Sequence, residues 1–166
     1  MDQYEQCPGD PDPTNTPPVD PRKELERVAL PEAVITVQPP DGETLVNLPT
    51  IFSTQAQTYT APPLDVLGQQ VVFTLTPETF VWHHGDGTQQ TTDTAGRKYQ
   101  DGDEPTDLIH HMYVKTAQDL PVSVDITWSA TWTLNGEAQG AVDGTVTKVG
   151  AAQQLDVLEA KPTLVN

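Results

Sequence analysis

One cysteine in 166 residues, Cys7, leaves the chain without an internal disulfide. A lone thiol carries no spacing information, so the redox compartment stays open. An incidental thiol is a simpler reading of it than an intermolecular bridge or a lipid attachment. Cations are scarce too: 8 Lys+Arg against 24 Asp+Glu give a formal charge of -16. Charge of that sign repels phosphate backbones and anionic lipid, which sets nucleic acid aside as a partner. No apolar run nears the ~20 residues a membrane-spanning helix needs, so no membrane span is expected. The opening Met1-Asp2-Gln3-Tyr4-Glu5 has neither a basic start nor an apolar core and does not read as a secretion signal. The expectation is a trimmed chain or one used without secretion. Also missing are a Gly-x-Ser-x-Gly elbow, a phosphate-binding glycine loop, a Cys-x-x-Cys pair and a His-Glu-x-x-His zinc motif. Nothing therefore supports catalysis, and no enzyme is expected.

Proline is plentiful, and its placement divides the chain. Pro8, Pro11, Pro13, Pro17, Pro18, Pro21 and Pro31 alternate with Asp10, Asp12 and Asp20 in a stretch with almost no apolar residues. Such a segment buries too little surface to offset its ordering entropy, so residues 1–31 read as an extended Pro/Asp-rich tail or linker. Within it, Pro21 suits a first helical turn, and Leu25, Val28 and Ala29 fall at i, i+3 and i+4. A helical turn or two is expected there.

Residues 32–166 read as one β domain. A strand over 34–37 ends at Pro39-Pro40-Asp41-Gly42, a dense turn signal. Residues 44–54 hold Leu45, Val46, Leu48, Ile51 and Phe52 around Pro49, which predicts an edge strand or a bulge. Val71, Phe73 and Leu75 alternate over 70–76 until Pro77. Residues 89–107 read as a long polar loop, the kind that is uncommon unless it binds something or stays mobile. From Val122 to Leu134 the alternation runs without an error, one face apolar and the other polar. Asn135-Gly136 then predicts a tight hairpin, with a return through Val142, Val146 and Val149 and a last strand at Leu155 and Val157. About seven short strands with turn signals between them predict an all-β, antiparallel β-sandwich.

The most distinctive stretch is Phe80-Val81-Trp82-His83-His84-Gly85-Asp86-Gly87-Thr88, an alternating aromatic strand running into a glycine-bracketed aspartate. Together with His111-Met112-Tyr113 and the long strand after it, this resembles the PKD (polycystic kidney disease) domain, an immunoglobulin-like sandwich. That family carries aromatic-x-Trp-Asp-Phe-Gly-Asp-Gly and a later His-Thr-Tyr. Over about residues 30–160 the chain is similar to secreted, mostly uncharacterised actinobacterial proteins with one PKD-like domain behind a Pro-rich tail. The matching segments are Leu45-Val46-Asn47-Leu48-Pro49-Thr50, Val81 to Gly87, and Thr127 to Thr133. Two departures stand out. Those relatives often carry two cysteines, near positions Thr92 and Ile109 here, and His83-His84 replaces the family's Asp-Phe.

The resemblance implies an immunoglobulin-like (PKD-type) fold with Trp82, Gly85, Asp86, Gly87, His111, Tyr113, Trp128 and Trp132 as its structural motif. Strand parity puts Phe80, Trp82 and His84 on one face and Val81 and His83 on the other. Core packing of Trp82 against the face holding Trp128 and Trp132 outweighs sugar stacking. Asp86 suits a turn that accepts backbone N–H bonds, with His111 fixing it. The four histidines, His83, His84, His110 and His111, could with Asp86 supply zinc ligands, although neighbours on a strand point to opposite faces. Asp101, Asp103, Glu104 and Asp107 are the oxygen-rich alternative for calcium, without EF-hand spacing. Hydrogen-bonded turn histidines and a solvated acidic loop outweigh both, so no cofactor is expected beyond these Ca or Zn candidates.

The expectation for function is a non-enzymatic module of a secreted or cell-envelope protein, mediating adhesion or assembly. It would have protein partners in a homo- or hetero-oligomeric assembly contacted by residues 1–31. The alternative is a structural subunit of a larger particle, such as a virion decoration, collar or tail protein or a surface filament, docked through that tail. A weaker alternative is metal or carbohydrate binding through residues 89–107.

Overall fold

The computed structural model describes residues 18–159. Cys7 and most of the Pro/Asp-rich stretch lie outside the described residues.

Two strands organise everything else. The first, β6 (Gln69–His83), and the second, β9 (Ala117–Leu134), pair antiparallel from Val71 opposite Leu134 to His83 opposite Ser123. Both alternate apolar and polar side chains, so one ribbon face is greasy along its whole length. Phe73, Leu75, Phe80 and Trp82 from β6 are buried, as are Val122, Val124, Ile126 and Trp128 from β9. Pro77 does not end the strand. Pro77 stays paired with Trp128 and the register shifts between Pro77 and Thr79, leaving Glu78 without a partner residue, so β6 carries its proline beside a bulge, a place where a sheet tolerates one.

Short strands line both edges of this pair. On the β6 side lie β4 (Tyr59–Thr60), β5 (Leu64–Val66) and β7 (Gln89–Thr92). On the β9 side lie β10 (Glu137–Ala141), β11 (Val146–Lys148) and β12 (Gln153–Leu158), with β2 (Glu43–Leu45) beyond β12. That makes a nine-stranded sheet. A second sheet of three strands has the order β1 (Ile35–Gln38), β3 (Pro49–Thr54), β8 (His110–Met112). Phe52 of β3 crosses to Trp82 of β6 with ring centres 6.4 Å apart, and residues of both sheets share one core. The protein is all-β, with its sheets packed on one another.

Several expectations change. There are twelve strands among the described residues rather than about seven, because the edge partners are too short to show as hydrophobic runs. The sandwich is not wholly antiparallel, since β12 pairs with β2 in parallel. Pro49 marks neither an edge nor a bulge: it is the first residue of β3, the middle strand of its sheet, where a missing N–H is tolerated. The long polar loop begins with β7, whose Thr and Gln side chains hid it, and contains a 3-10 turn at Pro105–Asp107. Val149 is 71% exposed and contributes nothing to the return.

The described part of residues 1–31 packs on the sandwich. Asp20 caps a short helix, α1 (Pro21–Leu25), by accepting the N–H groups of Arg22 and Lys23. Leu25 is 1% exposed within the core, with Val19, Val28 and Leu30 packed against it. Arg22 also donates to the carbonyl of Thr145 at 2.7 Å.

Candidate functional site

The end of β6 places the motif. Because Trp82 faces the core, strand parity sends His84 inward as well, and it is 3% exposed. The chain must then turn at once. Gly85 has φ 85° and an ideal Cβ there would lie 2.9 Å from the Leu120 Cβ, so only glycine fits beneath β9. Asp86 closes the turn by accepting the Thr88 N–H at 3.0 Å and the Thr88 hydroxyl at 2.5 Å through the same oxygen. His84 N–H reaches the Thr88 carbonyl, giving the turn a backbone lock.

From the second sheet, His111 of β8 brings Nε2 to 2.8 Å from the free carboxylate oxygen of Asp86. Its ring stacks on that of His84, centres 3.9 Å apart and planes 7° apart. Tyr113 closes the cluster from below: its ring meets His111 edge-on, and its hydroxyl donates to the His84 carbonyl at 2.6 Å. The turn is thus bolted to the opposite side of the sandwich by two side chains, His111 and Tyr113.

The electrostatics follow from that burial. Burial first, then the neighbouring positive charge of His111, lowers the His84 pKa to about 4; the Asp86 carboxylate opposes this without reversing it, and His83 adds to the lowering. Partial burial pushes Asp86 up, but the bonds from Thr88 and His111 outweigh it and hold the carboxyl at about 2. Burial, then the Asp86 charge, raises the Tyr113 hydroxyl above its ordinary range. The Thr88 hydroxyl donates to ionised Asp86, so Thr88 Oγ1 accepts from His84 Nδ1–H at 2.9 Å. This assigns the tautomer and leaves His84 Nε2 a bare acceptor, buried without a hydrogen-bond partner among the described residues.

Of the five residues considered for zinc, the fold gathers three. His84, Asp86 and His111 each offer an atom within 4.8 Å of the others. The rings nevertheless lie parallel. Nitrogen lone pairs lie in the ring planes, so parallel rings cannot both direct one at a single tetrahedral cation. One ring would have to turn and break its bond to Thr88 or Asp86. His83 points away and binds Asp125 at 2.8 Å, while the other Asp125 oxygen accepts the Gly150 N–H. His110 is turned to the Leu108 carbonyl.

The acidic loop also separates. Asp103 is held by both terminal nitrogens of Arg97 and by the Gln100 N–H, which keep its carboxyl at about 2. Asp101, Glu104 and Asp107 are exposed and join no cation-sized group with it among the described residues. Trp128 is buried and Trp132 is half-buried on the same strand face as predicted; the ring partners of Trp82 are Phe52 and Phe80. Sequence reasoning missed Thr88 and Asp125. Thr88 sits two residues beyond Asp86, the spacing of an Asx turn, so its signal was present. Asp125 needed the β6–β9 register.

Compared with known proteins, the chain matches no family model, no curated protein and no solved structure.

Proposed function

We propose that this chain is a non-enzymatic interaction module: an immunoglobulin-like sandwich of the PKD-resembling kind, serving adhesion or assembly at a cell envelope or in a secreted protein. One observation carries the reading. Among the described residues, the one cluster of His and Asp side chains close enough to act together is consumed by intramolecular bonds: Asp86 by Thr88 and His111, and His84 Nδ1 by Thr88. A catalytic acid or nucleophile needs a reachable proton or lone pair beside a place for substrate. Here the bare nitrogen of His84 is sealed in the core and the exposed carboxylate is held by three donors. What the surface offers instead is apolar: Leu48, Met112, Val114 and Leu158 stand exposed on an otherwise acidic protein. The immunoglobulin-like assignment draws support from Trp82 beneath the Gly-Asp-Gly turn and from Tyr113 tying that turn to the facing sheet. In-cell cross-linking of the tagged full chain, read by mass spectrometry, is expected to return a discrete protein adduct. A chain that yields only uncross-linked monomer under conditions that trap a known control pair would reject the module.

A further inference from the structure

Beside the His84 cluster but separate from it, two shallow hollows share the side chains of Pro39, Pro40 and Leu48. One, about 290 Å³, continues over Pro49 and Ile51 to Tyr99 and Pro105. The other, about 380 Å³, runs past Leu45 to Leu158 and is bordered by Asp41 and Glu43. Leu48 is 38% exposed and Leu158 39%. Met112, 45% exposed, pairs with Pro49 in the ladder and extends the apolar surface. The result is one patch at the join of the two sheets, apolar in its middle and negative along one border.

We propose that this patch docks an extended, basic and apolar segment of a partner polypeptide. The proposal rests on the interaction-module reading and names the partner's chemistry. Four walls of the patch are proline, which has no N–H, so an added β-strand would find few donors there. Recognition must come from apolar contact and from charge. Apolar side chains of the partner cover Leu48, Leu158 and Tyr99, while Lys or Arg reaches Asp41 and Glu43. A second copy is disfavoured because it would bring another net charge of -16 to the contact. The chain's own residues 1–17 suit the patch no better, since they carry Asp2, Glu5, Asp10 and Asp12 and no Lys or Arg.

The test uses the full chain and a fluorescent peptide of alternating lysine, proline and leucine, followed by anisotropy. Binding is expected, and it should weaken as salt rises, because exposed charges are screened. Leu48→Ser should weaken it about tenfold, the worth of one partly buried leucine. Glu43→Lys should weaken it and flatten the salt dependence, while Val149→Ser, outside the patch, should leave it unchanged. Glu43 is exposed, so that variant keeps the test valid if Leu48→Ser does not fold. Several results overturn the proposal: no binding, equal binding of the glutamate-for-lysine peptide or of a peptide of residues 1–17, or indifference to both patch variants. A dimer in sedimentation that Leu48→Ser abolishes would hand the patch to a second copy instead. A photo-cross-linker at Leu48 separates this proposal from the reading beneath it. Adducts formed from Val34 but never from Leu48 would sink the patch and leave the module standing; no adduct from any exposed position would sink the module.

Discussion

The imidazole of His84 lies parallel to that of His111, 3.9 Å between ring centres, and both reach the carboxylate of Asp86, one directly and one through Thr88. Two imidazoles stacked this closely cannot both be charged without repulsion, and the buried one remains neutral.

That neutrality predicts a pH dependence. The folded pKa of His84 is lowered from 6.5 to about 4, so between these values the unfolded chain binds the extra proton and the folded one does not. Unfolding free energy then rises with pH across this window. The contribution is fully present above pH 6.5 and is lost as pH falls from there through about 4, on the order of 3 kcal/mol in all. Urea melts from pH 7.5 to 4.5 should show the loss, and His84→Gln should flatten it. An NMR titration in which His84 ionises near its ordinary value would contradict the assignment.

The Asp86–His111 bond should show as coupling rather than as two separate losses. Asp86→Asn removes the charge that holds both His111 and the Thr88 hydroxyl, at about 1–2 kcal/mol for a solvent-touched, charge-assisted bond. His111→Ala should cost less in the Asp86→Asn background than in the natural chain. Additive losses in a double-mutant cycle would mean that the bond carries no stability. Because the Asp86 pKa is lowered to about 2, its contribution is present above the ordinary carboxylate range and disappears only as pH falls through about 2. It therefore does not blur the His84 window.

Strand parity alone placed Trp82 and His84 on the buried face, and Asn135-Gly136 predicted the turn that forms, with φ of 50° and 87°. Local rules of period and turn chemistry were enough for these. The cluster was half legible: parity turned His84 inward and His111 was expected at the Gly-Asp-Gly turn, but the stacking of those two rings depends on how the two sheets lie against each other. Tyr113 reaching the His84 carbonyl is of the same kind, a bond over 29 residues that no local pattern encodes. Leu25 was legible only in part. Its spacing with Val28 and Ala29 predicted the helical turn, but not that this leucine is buried in the core of the sandwich.

The two motif glycines should respond very differently to alanine. Both have positive φ, 85° at Gly85 and 94° at Gly87. Gly87 has nothing within 4 Å of a built Cβ, so Gly87→Ala carries only the left-handed backbone cost, about 1 kcal/mol. At Gly85 the new methyl would meet Leu120 at 2.9 Å and the Pro121 backbone at 3.1 Å, and backbone cannot swing aside. Gly85→Ala is expected to cost about 3 kcal/mol, strain and overlap together. Thermal melts of the pair should separate clearly; equal losses would mean that the turn does not pack under β9.

The tryptophans offer a comparison at nearly constant shape. Trp82 and Trp128 are both almost wholly buried, at 0% and 1% exposure, but their indole N–H groups fare differently. That of Trp82 donates to Thr92 Oγ1 at 2.9 Å, bracing β7 against β6. That of Trp128 is buried without a partner among the described residues. Phenylalanine removes the N–H and some volume in both cases. At position 82 a satisfied bond goes with it, whereas at 128 the loss of an unmet donor offsets part of the lost packing. Trp82→Phe should therefore be the more destabilising by about 1 kcal/mol. It should also speed hydrogen exchange in β7, which Trp128→Phe should leave alone. Urea melts giving equal losses, or the reverse order, would show that the Thr92 bond does not hold β7 in place.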